Sequence, residues 1–395
     1  MPKLGVEQLD LAGQRVFLRV DFNVPLKDGR VSDDTRIVAA LSTVQHCLKA
    51  GAAVVLASHL GRPKGKPDPA YSLRPVAERL GDLLGQPVPL APDCVGPETE
   101  ALARALGPGQ VLLLENLRFH AEEEANDEAF ARGLAALAGV YVNDAFAAAH
   151  RAHASIEAIT RFLSPAAAGL LMSRELAALG RIFEQPQRPV IALLGGAKVS
   201  DKLPLVRSLL DRVDGLLIGG GMAFTFLASL GHGVGRSLLE PHRIEAARAA
   251  LDHARARGVK VRLPVDVVAA RGVDSREGIR TVGIREIPAD LMGLDIGPAT
   301  VLQFSEALKG AATVVWNGPM GVFEQEPFAA GTVEVGRAVV GCGAFSVIGG
   351  GDTIAAAQAA GVTDKIGYIS TAGGAFLEFL EGRVLPGVAA LNDAP

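Results

Sequence analysis

Short apolar runs, rich in β-branched residues, recur along the whole chain without the polar alternation of a half-wet strand. In the first half they are RVFLRV (15–20), AVVLA (53–57), VLLLE (111–115) and GVYVN (139–143). In the second they are VIALL (190–194), GLLIG (215–219), VKVRL (259–263), TVVWN (313–317) and FSVIG (345–349). A run apolar at nearly every position is buried on both faces. Between the runs lie stretches with helix-spaced apolar residues, such as SLRPVAERLGDLLG (72–85) and EPHRIEAARAALDHARARG (240–258). Together they predict parallel sheets with helices on each side. At 395 residues the chain is too long for one ordinary core. The two series part in SPAAAGLLMSRELAALGRIFEQPQRP (164–189), which is helical in its middle and closed by Pro186 and Pro189. The expected fold is α/β: two doubly wound, Rossmann-like parallel-sheet domains over 1–172 and 189–379, joined by a helical hinge at 173–188.

A formal net charge of −4 argues against general nucleic-acid binding, so any anion site must gather its own basic residues. Cys47, Cys94 and Cys342 are odd in number and far apart, which fits reduced thiols in a cytoplasmic chain better than disulfides or zinc. The opening MPKLGVEQLD has no apolar core and is not read as a signal peptide. Gly215 to Gly235 contains no Asp, Glu, Lys or Arg, yet three consecutive glycines break it and Thr225, Ser229 and His232 dilute it. A buried strand followed by a buried helix explains it better than a membrane span.

In doubly wound sheets ligands sit at the carboxyl ends of the strands. The first-half ends offer Asp21, Asn23 and Pro25; Ser58, His59, Arg62 and Lys64; Glu115, Asn116 and Arg118; and Asn143, Asp144, His150, Arg151 and His153. The turn VSDDTRI adds Arg36. Arg36, Arg62, Arg118, Arg151, His59 and His150 can converge on one edge, where only an anion would relieve their repulsion. Arginine's planar fork suits phosphate and carboxylate. His150 and His153 form an HxxH without a clear third ligand, a weak metal signal. EEEANDE (122–128) reads as a solvated helix face, and GRPKGKP (61–67) lacks the spacing and the Ser/Thr of a P-loop.

In the second half glycines replace the arginines. The ends read LLGGAKVSDK (193–202), LIGGGMAF (217–224), WNGPMGVFE (316–324), IGGGDTI (348–354) and STAGGAF (370–376). Glycine lets backbone N–H groups approach phosphate oxygens, and a following helix adds its positive N-terminal end. Lys198 and Lys202, four apart, would share a helix face if the helix has begun. Asp352 can reach a hard cation held by phosphate. The set points to a nucleotide polyphosphate, and the lack of G-x-G-x-x-G with a downstream acid argues against NAD.

In RVDFNVPLKDG, DDTRI, SHLGRPKG, LLENLRFH, VNDAFAAAHRAHAS, GGAKVSDK, GGGMAFTF, MGLDIGP, WNGPMGVFE and GGGDT, in this order, the chain resembles the phosphoglycerate kinases over essentially its whole length. The resemblance implies reversible phosphoryl transfer between ATP and 3-phosphoglycerate, yielding ADP and 1,3-bisphosphoglycerate with Mg2+, in a monomer. It implies an acid-binding set of Asp21, Phe22, Asn23, Arg36, His59, Leu60, Gly61, Arg62, Arg118, His150 and Arg151 in the first domain. For the nucleotide it implies Gly196, Lys198, Lys202, Gly220, Gly293, Asn317, Glu324, Gly350, Gly351, Asp352 and Thr353. Within that set Glu324 matches the ribose contact and Asp352 the metal-side contact. Arg36 and Lys198 match the basic residues flanking the transferring group, and Gly373 and Gly374 the helix start facing it. The resemblance also implies domain closure and a tail, 380–395, that returns to the first domain. A carboxylate nucleophile is already deprotonated at neutral pH, which explains the lack of an obvious general base.

The family usually has Gly-Thr where this chain has Ala147 and Ala148, and a glycine where it has Ala372. Neither departure removes a charged residue. A nucleotide-binding scaffold without chemistry would have no need of Arg36, Lys198 and Asp352 together, and a dehydrogenase would need the missing dinucleotide fingerprint.

Overall fold

The computed structural model describes residues 2–184 and 186–395. The chain divides into two compact units, Met1–Ala177 with Val384–Pro395, and Ala178–Arg383. The division falls within the helix Leu170–Phe183.

The first unit holds β1 (Arg15–Arg19), a short hairpin of β2 (Leu26–Lys27) and β3 (Arg30–Val31), then β4 (Ala53–Ala57), β5 (Val111–Leu113), β6 (Val140–Asn143) and β7 (Ala166–Ala168). Its sheet runs β5-β4-β1-β6-β7 and is parallel throughout, with Phe17 opposite both Val55 and Tyr141. Every residue of β4 and β6 is buried, as runs without alternation require. Val16, Leu18, Val54 and Leu56 pack with Ile37 and Val44 of the helix Thr35–Lys49 and with Val76 and Leu80 of Arg74–Leu84. Residues 384–395 cover the outer side of β7: Ala166 N–H donates to Asn392 Oδ1 (2.7 Å), and Asn392 N–H to the Ala166 carbonyl (3.0 Å). Lys3 Nζ adds an ion pair with Asp393 at 2.8 Å.

The second unit holds β8 (Val190–Leu194), β9 (Gly215–Ile218), β10 (Lys260–Arg262), β11 (Asp266–Ala270), β12 (Arg280–Gly283), β13 (Met292–Ile296), β14 (Thr313–Asn317), β15 (Phe345–Gly349) and β16 (Tyr368–Ser370). Its parallel sheet runs β10-β9-β8-β14-β15-β16. Ile191, Leu193, Val314, Trp316 and Ile348 pack under Phe304 and Val335. The order reverses between β8 and β14 here, and beside β1 in the first unit. Loops part at such a switch point and leave a crevice at the carboxyl edge.

Purely parallel sheets were expected, and the second unit adds an antiparallel one, β12-β11-β13, with a register shift between Val268 and Ala269. The edge strands β7 and β16 also lie outside the runs read from sequence. Gly215 to Gly235 folds as β9 followed by the helix Ala223–Ser229. Among the described residues no helix is long and apolar enough to cross a membrane.

Candidate active site

At the carboxyl edge of the first sheet the backbone itself arranges the polar groups. Ser58 Oγ accepts from Phe22 N–H (2.8 Å), and Asn23 Oδ1 from Gly61 N–H (2.9 Å), which ties the loop after β1 to the loop after β4. Asn116 grips the same loop from the other side, through Leu60 N–H (3.2 Å) and the Leu60 carbonyl (2.7 Å). Arg36, in the first turn of Thr35–Lys49, donates Nη1 to Asp21 Oδ2 at 2.7 Å. Arg118 donates Nη1 to the Gly61 carbonyl (2.8 Å) and pairs Nε with Glu124 (3.1 Å). Arg151 Nε meets His150 Nε2 at 3.0 Å, while Arg62 is exposed.

Beneath this edge lies a buried cation absent from the sequence-derived set. Arg19, 1% exposed, donates Nε to Ser155 Oγ (2.9 Å) and Nη1 to the Val20 carbonyl, and holds Nη2 3.3 Å from His59 Nδ1. Ser155 in turn donates Oγ (2.6 Å) and N–H (2.9 Å) to Glu123. The acidic run 122–128 is therefore not simply a solvated face. Glu122 and Glu124 are exposed, but Glu123 turns inward and is buried. Burial raises the pKa of Glu123 against the opposing pull of Arg19.

His59 is pushed well below the ordinary imidazole range, first by burial and then by Arg19, Arg118, His153 and Arg36. His153 is pushed down to about 3, by burial and then by Arg19 and Arg118. Both imidazoles are neutral at neutral pH. Glu123→Gln is expected to cost about 1–3 kcal/mol, because an amide N–H₂ would face one of the Ser155 donors. Chemical denaturation of the variant measures this, and an unchanged midpoint would refute the network's structural weight.

At the second unit's edge the glycines divide into two kinds. Gly195, Gly220 and Gly318 are demanded by the protein's own backbone. A Cβ on Gly195 would lie 2.8 Å from the Gly318 carbonyl oxygen, and one on Gly220 would lie 2.6 Å from Gly196 N. Gly293 is close-packed too, against the Phe224 ring. Gly351 and Gly373 face open space, with nothing within 4 Å. Gly350, at φ +92°, opens the helix Gly351–Ala359, and Gly373 precedes Gly374–Leu380. Gly196, Gly220, Gly293, Glu324 and Asp352 line one pocket, floored by Met292, Leu294 and Ile296 of β13 and walled by Phe224 and Leu238.

Lys198 and Lys202 do not share a helix face, because the helix begins only at Leu203. Lys198 is exposed in the loop after β8. Lys202, at the helix N-cap, donates to Asn317 Oδ1, and burial lowers its pKa against the pull of Asp352. Asn317 Nδ2 donates to the Gly349 carbonyl (2.6 Å), and Thr353 Oγ1 accepts from Gly318 N–H (2.8 Å). These bonds lock the ends of β14 and β15 together around Gly350. Ala147, Ala148 and Ala372 all avoid the left-handed region, so none of them strains the backbone.

Asp295 lines the same pocket and is 4% exposed. Its Oδ2 accepts from Gly331 N–H (2.7 Å) and its Oδ1 from Ile296 N–H (2.9 Å). Burial outweighs these two bonds and pushes its pKa up to about 7. A carboxyl raised on folding stabilises the fold at low pH and loses that contribution as pH climbs through the folded value. Wild-type stability relative to Asp295→Asn is expected to fall by about 1.4 kcal/mol per pH unit between pH 5 and 7, then level off. Urea melts of both proteins from pH 5 to 8 test this, and a pH-independent difference would contradict it.

The sequence pattern of the family described as "Phosphoglycerate kinase" matches residues 6–383. The chain belongs to the phosphoglycerate kinase family. It is 54% identical over 389 residues to the phosphoglycerate kinase of Desulfosudis oleivorans, covering 98% of each chain. It is 55% identical over 393 residues to that of Moorella thermoacetica, covering 100% of each. The solved phosphoglycerate kinase of Coxiella burnetii matches with a TM-score of 0.93 at 42% identity, covering 98% of each chain. That of Pyrococcus horikoshii matches at 0.77 and 36%, also covering 98% of each. The α/β fold expected from the apolar runs is thus the fold of this kinase family.

Proposed function

We propose that the chain transfers a phosphoryl group reversibly between ATP and the carboxylate of 3-phosphoglycerate, giving ADP and 1,3-bisphosphoglycerate. The observation that carries this reading is the contrast between the two carboxyl edges. In one, Arg19 and Arg118 act on both neutral imidazoles, Arg36 on His59 and Arg151 on His153, and Arg19 and Arg151 act on Arg118 as well. In the other, Gly196, Gly220, Gly293, Glu324 and Asp352 line an apolar pocket, and Asp352 acts on the cation of Lys202.

On this reading the acid's phosphate and carboxylate are held by Arg36, Arg62, Arg118, Arg151, His59 and His150. Asp21, Asn23 and the 22–23 and 60–61 backbone position those groups. The nucleotide base lies against β13 and Gly293, its ribose meets Glu324, and its phosphates run past Gly196 and Lys202 to Gly350, Gly351 and Thr353. Asp352, exposed in the first turn of its helix, suits Mg2+, which takes one or two carboxylates along with phosphate oxygens and water. Bound there, Mg2+ would neutralise phosphate charge. The attacking carboxylate needs no general base, so the protein's task is alignment and charge neutralisation. Arg36, Lys198 and the backbone at Gly373 and Gly374 supply the neutralisation. Closure of the units on both ligands would exclude water.

A coupled assay requiring both ATP and 3-phosphoglycerate tests the reading, and binding of both ligands without turnover would instead indicate a scaffold. Closure predicts a smaller radius of gyration by small-angle scattering with both ligands than with either alone. The reading includes a cytoplasmic monomer acting on small molecules, with no nucleic-acid or membrane partner.

A further inference from the structure

The second unit carries another polar pocket that shares no lining residue with the glycine-bordered one. Its volume is about 640 Å³, and three arginines line it: Arg207, Arg212 and Arg243. Arg207 lies in the helix Leu203–Leu210, Arg212 in the turn that follows, and Arg243 in the turn Pro241–Arg243. Among the described residues none of the three side chains forms an ion pair, and Arg243 Nε is buried without a hydrogen-bond partner.

The two acids in the wall have partners from outside the pocket lining. Asp211 Oδ1 takes His253 Nε2 (3.1 Å) and Arg257 Nε (3.3 Å), and Glu381 takes Arg383 Nε (2.9 Å). The site is also shaped. Arg212 rests on the Phe183 ring, 4.7 Å from its centroid. A Cβ on Gly382 would lie 3.1 Å from Arg212 Nη2 and 3.5 Å from Ser208 Oγ, so the absent side chain leaves room beside the guanidinium. Three guanidinium groups outnumber the two carboxylates around this concavity, and their forks match phosphate oxygens.

We infer that this pocket binds a small phosphorylated anion, with Arg207, Arg212 and Arg243 as its ligands. Inorganic pyrophosphate is the probe, added to isotope-labelled full-length protein saturated with 3-phosphoglycerate and a non-hydrolysable ATP analogue. The amide signals of Ser208 and Gly382 should shift saturably. The double substitution Arg212→Ala/Arg243→Ala should weaken the interaction by at least about tenfold with turnover unchanged. No saturable shift at these amides would overturn the inference. So would equal affinity in the double variant, or the same shift with sodium chloride at matched ionic strength. If the double variant loses its dispersed spectrum, Arg207→Gln alone decides: about a fewfold weaker binding supports the site, and unchanged binding rejects it.

Discussion

Lys198→Ala is expected to lower kcat by about 10²–10³ while leaving the Michaelis constant for 3-phosphoglycerate within a fewfold. Lys198 is exposed in the loop after β8, and among the described residues no hydrogen bond or ion pair engages its ammonium group. Removing such a side chain leaves stability within about 0.5 kcal/mol, so lost turnover reports on charge neutralisation and not on folding. Arg36 makes the less clean test. It already holds Asp21 at 2.7 Å, so Arg36→Ala frees a carboxylate beside buried His59 as well as removing the charge proposed to face the transferring group. Steady-state kinetics with matched melts measures both variants. Near-normal turnover in Lys198→Ala would remove it from the catalytic machinery.

Gly318→Ala is expected to destabilise the second unit by about 3–5 kcal/mol. Gly318 has φ +97°, and a Cβ there would collide with the Gly195 carbonyl where the loops after β8 and β14 meet. Left-handed strain contributes about 1–3 kcal/mol, and overpacking against an immobile backbone contributes a similar amount. The residue also donates N–H to Thr353 and accepts from Trp316 Nε1 (2.9 Å), so its displacement reaches the start of Gly351–Ala359. Trp316 is the chain's single tryptophan, so its fluorescence during urea unfolding reports on this unit alone. Gly351→Ala is the control. With open space around it, the substitution should leave that unfolding curve in place yet raise the Michaelis constant for ATP. A variant with normal nucleotide kinetics would show that the space is not clearance for phosphate.

What could be read from the sequence followed burial. The runs at 53–57, 190–194, 313–317 and 345–349 coincide with strands because each is apolar on both faces and ends in glycine or a polar group. Strand β7 escaped because Ala166, Ala167 and Ala168 have little strand preference and pair at an edge closed by the distant tail. The antiparallel sheet escaped because β12 is exposed or half-buried at every residue and shows no apolar run. In the site, residues at strand ends were readable and those beneath them were not. Arg19 and Asp295 left one signal, a charge inside an otherwise apolar run, which a buried strand tolerates only with a partner. Glu123 left none. Its partner Ser155 is 32 residues away, and nothing in EEEANDE distinguishes the inward acid from its neighbours. The glycines were seen as a class, but sequence could not separate those that clear space from those that let the backbone interlock.

The pairing of Asn392 with β7 has a consequence for how the protein is made. The unit that opens the chain is interrupted at Ala177 and resumes only at Val384. Synthesis runs in one direction, so the whole intervening unit emerges from the ribosome before the last strand edge of the first can be covered. The part begun first is finished last: Leu4 can already hold Ala168, but until the tail arrives Ala166 offers unpaired backbone to any other extended chain.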